Sequence, residues 1–96
     1  MIDRDSEDSD AFYNLGVMHD ALGEVDRAMG AYRRALELDP GHVDARLNLS
    51  IDLRERESFE EALRNYLLLL DLPVDQRRRR QVERIVDQLQ TALGED

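Results

Sequence analysis

The stretch DAFYNLGVMHDALGEVDRAMGAYRRALELDPGH, residues 10 to 42, decides the fold. Within it Phe12, Leu15, Gly16, Ala28, Tyr32, Ala35 and Pro40 set large and small residues at fixed places. Leu49, Ser50, Leu53, Ala62 and Tyr66 then follow 34 residues behind Leu15, Gly16, His19, Ala28 and Tyr32. A period of that length marks stacked helical hairpins, because one hairpin cannot bury its apolar face alone and needs a neighbour to cover it.

Outward from this stretch, punctuation residues set the element ends. Ser9 is a candidate N-cap for a helix from about Asp10 to Leu22, and Gly23 suits the left-handed residue that closes it. A second helix is expected over about Val25 to Leu38, ended by Asp39, Pro40 and Gly41, since proline cannot continue the hydrogen-bond ladder. A third spans about Val43 to Arg56. Ser58 and Glu61 have capping-box spacing and open a fourth, which runs to about Leu70 and stops before Pro73. Val82, Ile85, Val86, Leu89 and Leu93 fall on one face of a fifth helix from about Asp75 to Leu93, with no partner helix after it. It reads as a cap over the open end of the second hairpin. Residues 1 to 8, MIDRDSED, are charged and aperiodic and read as a disordered tail.

Composition excludes several classes. Ninety-six residues make one small domain whose core must come from stacking modest helices. The longest apolar run, Leu67 to Leu70, is four residues, too short for a membrane span, and the acidic N-terminus lacks a signal-peptide core, so a cytoplasmic protein is expected. There is no cysteine. A formal charge of −9 argues against a nucleic-acid surface, which binds phosphates through net positive faces. All thirteen basic residues are arginine, which fits either a high-salt host or the codon bias of a GC-rich genome. His19 and His42 stand apart from each other, so no metal site is expected. No phosphate-binding loop or nucleophile motif is visible, and neither enzymatic activity nor a cofactor is expected.

The residues quoted above resemble the tetratricopeptide repeat family, helical hairpins that stack into a right-handed superhelix. Residues 10 to 42 lie close to the family consensus, with His19 in place of the usual tyrosine. The resemblance implies an all-α stack of five helices: a first repeat over 9–42, a second over 43–76 and a capping helix over 77–94. The second repeat is degenerate, with Arg46 where Phe12 stands and Leu69 where the small Ala35 stands, and alignment of the last helix needs about two extra residues near Val74 to Gln76.

Family members generally bind peptides or helices in a concave groove lined by the first helix of each hairpin, and they are generally not enzymes. Carried over by alignment, this implies a partner-binding groove formed by Tyr13, Asn14, Val17, Leu47, Asn48, Ile51, Arg54, Arg80 and Arg84. Asn14 and Asn48 hold positions where an amide can both donate to and accept from an extended ligand backbone. Tyr13, Val17, Leu47 and Ile51 are apolar where a helix in water exposes polar residues, either as a partner patch or as packing within the stack. Asn48, Arg80 and Arg84 match part of a carboxylate clamp known in some members, but Tyr13 and Val17 replace its lysine and asparagine. Arg77 to Arg80 place positive charge at a helix N-terminus, against the macrodipole. Leu67 and Leu68 exceed what one buried face needs and call for cover by the last helix, favoured by its matching stripe, or by a second subunit. The expected function is therefore an adaptor or scaffold that binds a protein partner. The alternative is self-association, a homodimer completing a short stack.

Overall fold

The computed structural model describes residues 4–94. Five helices follow in order: α1 (Arg4–Ala21), α2 (Val25–Leu38), α3 (Val43–Glu55), α4 (Phe59–Leu69) and α5 (Gln76–Ala92). There is no strand among the described residues. Packing runs from each helix to the next, α1 on α2, α2 on α3, α3 on α4 and α4 on α5. Two hairpins and a closing helix thus form a one-dimensional stack, all-α as the period implies.

The second helix of each hairpin supplies the centre of the core. On α2, Ala28, Ala31, Tyr32, Ala35 and Leu36 are buried, the spacing of one helical face. On α4 the same face presents Ala62, Leu63, Tyr66 and Leu69. Helices approach closely where side chains are small: Ala28, Ala35, Ala45 and Ala62 are fully enclosed. Against α4 the last helix lays Val82, Val86 and Leu89. Asp75 caps that helix by accepting from the Arg78 amide at 2.8 Å, which fixes where α5 begins.

The turns inside the two hairpins share one geometry. Gly23 sits at φ +78° after α1, and the Glu24 amide returns to the His19 carbonyl at 2.8 Å. Thirty-four residues later Glu57 takes the same left-handed conformation at φ +63°, and the Ser58 amide returns to the Leu53 carbonyl at 2.9 Å. A side chain there crowds the following carbonyl, a cost that glycine avoids. Glu57→Gly is expected to raise the unfolding free energy by about 0.5–1 kcal/mol, read from the urea midpoint. A midpoint that stays put or falls would mean that the turn carries no strain.

Several local expectations change. The tail expected over residues 1–8 is helical from Arg4, while residues 1–3 lie outside the described residues. Ser9 is consequently inside α1 rather than at its cap; fully buried, it donates to the Ala35 carbonyl at 2.9 Å and ties α1 to the end of α2. The capping box at Ser58 does not form: Ser58 makes no side-chain cap bond, and Glu61 pairs instead with Arg33 of α2.

Leu15, one of the large residues of the signature, is 41 % exposed, beside Met18 at 62 % and Leu22 at 71 %. Their face of α1 corresponds to the Leu49 face of α3, which packs on the preceding hairpin; α1 has no hairpin before it in the described structure. Leu67 and Leu68 are 40 % and 47 % exposed. The last helix does not cover them, because its apolar stripe is spent on the other side of α4.

Candidate functional site

The groove lies between α3 and α5. Leu47 and Ile51, one helical turn apart on α3, face Val82 and Ile85 of α5 across a hollow of about 310 Å³. Arg54 stands at one end of it, and Arg78, Gln81 and Arg84 form the rim along α5. The floor is aliphatic and the polar groups are nearly all cationic. A shallower depression next to it is lined by Gln76, Arg77, Arg80, Gln81 and Arg84.

The residues named from the sequence divide into three groups. Leu47, Ile51, Arg54 and Arg84 converge on the hollow, and Arg80 lies beside it in the adjoining depression. Asn14 and Val17 are exposed on α1 and do not line the hollow. Tyr13 and Asn48 are engaged within the stack. The Tyr13 ring lies 5.0 Å from the His42 ring and 6.1 Å from that of Tyr32, and the Asn48 amide donates to the Tyr32 hydroxyl over 3.4 Å. His42 caps α3 by accepting from the Ala45 amide at 3.1 Å, and its other ring nitrogen meets Asp10 at 2.8 Å, a structural role for both nitrogens.

Arg78, Gln81, Val82 and Ile85 were missed as groove residues. Their signal was present, since spacings of three and four place them on one side of α5, but the offset of that helix from the repeat period hid which side would face α3.

Behind the groove, α1, α2 and α3 meet in a polar cluster. The Tyr32 hydroxyl donates to Asp20 at 2.7 Å. Burial, and then that bond to Asp20, raise the Tyr32 phenol above its usual range, so it remains a donor. Asp52 of α3 is 5 % exposed, and its Oδ2 atom has no hydrogen-bond partner among the described residues. Its neighbour is the Asp20 carboxyl, so the pair is satisfied only when one of the two carries a proton. Burial first, and Asp20 second, push the Asp52 carboxyl up to about 7.

The equivalent place in the second hairpin is built differently. Tyr66 stands where Tyr32 does, but Arg54 replaces Asp20, and a guanidinium cannot accept a hydrogen bond. Arg54 lies over the Tyr66 ring at 5.9 Å, and the Tyr66 hydroxyl has no hydrogen-bond partner among the described residues. The exchange turns a structural carboxylate into a cation at the end of the groove.

Residues 9–42 match the family model described as tetratricopeptide repeat. The first hairpin is a tetratricopeptide repeat. The match and the five helices together fit a tetratricopeptide-like helical repeat. Tetratricopeptide repeats generally mediate protein–protein interaction. No curated protein aligns significantly with the chain. No described helix is long and apolar enough to cross a membrane. Among the described residues no three His, Asp or Glu side chains group as a metal site.

Proposed function

We propose that this chain is a non-enzymatic interaction module that holds a peptide or helix of a partner protein in the groove between α3 and α5. The observation that carries this reading is the hollow itself, with an aliphatic floor from Leu47, Ile51, Val82 and Ile85 and an arginine rim. Pockets of that size, mostly apolar with a few placed polar groups, are where ligands are held. The hollow contains no nucleophile and no general acid or base, only aliphatic, glutamine and arginine side chains, so its chemistry is that of positioning.

A partner captured from source cells and then purified provides the test. Leu47→Asp puts a charge on the floor and is expected to weaken binding at least about tenfold, the range for loss of a central interface contact, with helicity by circular dichroism unchanged. Ile51→Asp, one turn along the same floor, is expected to act in the same direction. Retained affinity in both variants would remove the groove from the account.

A second reading, self-association, has its own observation in the exposed Leu15, Met18 and Leu22 face of α1. Light scattering across protein concentration separates it: a monomer at every concentration leaves the partner-binding reading alone.

A further inference from the structure

We propose that α1 is a dimer interface, on which a second copy of this chain lays its own α1 antiparallel about a two-fold axis near Gly16 and Val17; this rests on the self-association reading above. Of the six large apolar side chains exposed among the described residues, four lie together here: Leu15, Val17, Met18 and Leu22. With Ala11, also exposed, Leu15, Met18 and Leu22 recur at intervals of four, three and four, the alternation of a coiled-coil seam. Leu22 carries the seam past the end of α1, its amide still bonded to the Met18 carbonyl at 3.1 Å.

The rest of the stack shows that such a face is made for cover. Its equivalents on α3 are Ala45, Leu49, Asp52 and Arg56, of which the first three are buried. Where α3 carries Asp52 and Arg56, α1 carries Met18 and Leu22, so the uncovered face is more apolar than the covered one. The other end of the stack is finished in the opposite way. There α5 leaves Gln76, Arg80, Glu83 and Asp87 exposed, the polar outer face that closes a repeat stack in water.

Charge and spacing both favour a second copy as the occupant. A chain of charge −9 repels its own copy unless the two meet where charge is absent. Ala11 to His19 is the longest run without Asp, Glu or Arg, and it forms the middle of the seam. The spacing reads the same in both directions. An antiparallel copy therefore sets Leu15 against Met18 of the second copy, and Ala11, the smallest of the four, against Leu22. A parallel copy would pair Ala11 with Ala11 and leave a void at one end of the seam.

Each copy offers a patch of a few hundred Å², so the pair lies at the low end of specific interfaces and a dissociation constant of about 10–100 μM is expected. Two-fold pairing uses up the face and closes the assembly at two chains. Leu67 and Leu68 on α4 are flanked by the charges of Arg64 and Asp71, and α1 docked on them would propagate into an open chain. The hollow between α3 and α5 has no lining residue from α1, so the dimer presents two open grooves.

Sedimentation equilibrium of the whole chain, across concentrations that span this constant, is expected to show monomer and dimer and nothing larger. Met18→Glu, at an exposed helical position, should keep its helicity by circular dichroism and weaken dimerisation at least about a hundredfold, because the two-fold axis brings the charge in twice. Leu67→Glu should leave the dimer intact. The chain has no cysteine, so introduced ones report the pairing. Ala11→Cys mixed with Leu22→Cys should give the mixed disulfide as the main product under mild oxidation. Antiparallel pairing holds the two copies of position 22 about 16 Å apart along the axis, beyond the reach of a disulfide.

A dimer that forms mainly the Leu22→Cys self-disulfide, that survives Met18→Glu, or that Leu67→Glu dissolves overturns the antiparallel α1 pairing and leaves self-association standing. Growth past the dimer has the same meaning. A monomer at every concentration overturns both.

Discussion

Gly16→Ala is expected to lower the unfolding free energy by about 2 kcal/mol, although alanine is the better helix former by about 1 kcal/mol. The loss arises because α1 and α2 touch through this glycine. A Cβ added at Gly16 would stand 2.6 Å from Cδ1 and 2.9 Å from Cζ of Tyr32. The ring has nowhere to go: Tyr32 is fully buried, and its hydroxyl is held by Asp20. Either the hairpin opens or the ring leaves its rotamer, and both loosen the core. Gly30→Ala is the matched control. Gly30 lies within α2, and a Cβ there meets nothing within 4 Å. It is expected to gain about 0.5–1 kcal/mol from helix propensity alone. Opposite signs in paired urea melts would establish that contact between the helices, not propensity, decides at Gly16; losses at both sites would refute it.

Asp52→Asn is expected to stabilise the protein at about pH 8 and to do much less at about pH 5. The folded Asp52 carboxyl titrates near 7 against an ordinary 3.8, so between those values the folded state binds the extra proton. Stability from this group is therefore fullest below about pH 4 and falls as the pH rises toward about 7. Above that, the folded protein holds a buried carboxylate against Asp20. The groups facing it are Asp20 from α1, the Tyr32 hydroxyl from α2, the Tyr66 hydroxyl from α4, and Glu55 and the capping Arg56 at the end of its own helix; Arg56 is engaged with Asp26 at 3.2 Å. An asparagine amide can donate to Asp20 at every pH. The gap in unfolding free energy between variant and parent should open by about 2 kcal/mol from about pH 5 to about pH 8. A gap that does not change with pH would show that Asp52 ionises as an ordinary surface acid.

Much of the fold was legible because its causes are local. Gly23 and Pro40 end helices by backbone geometry alone, and the apolar spacing of α2 and α5 needs only a helix to be read. α2 keeps the expected limits of Val25 and Leu38, and α3, α4 and α5 begin and end within one residue of expectation. The errors fall where a distant group competes for a local one. Ser9 could have been a cap but finds the Ala35 carbonyl, 26 residues away. Glu61 could have closed a capping box but finds Arg33. Leu15 holds the position of the buried Leu49, and it is exposed because no described helix packs on that side of α1.

The candidate site was legible by halves for the same reason. The repeat period points Leu47, Ile51 and Arg54 toward the inner side of the stack. Tyr13 and Asn48 share that register, but contacts with His42 and Tyr32 occupy them. The α5 wall of the hollow depends on how a helix outside the period docks against α4.

By itself the sequence determined the helical hairpins, their order and the identity of the first repeat, because a 34-residue alternation of large and small residues permits little else to pack. Only the tertiary structure decided which polar groups meet. It set Asp52 against Asp20 from 32 residues away, left the Tyr66 hydroxyl unmatched, and turned the arginines of α5 toward an aliphatic hollow. Helix formation is settled between residues three and four apart, whereas the sign and number of groups at a junction depend on helices that the chain brings together only when it stacks.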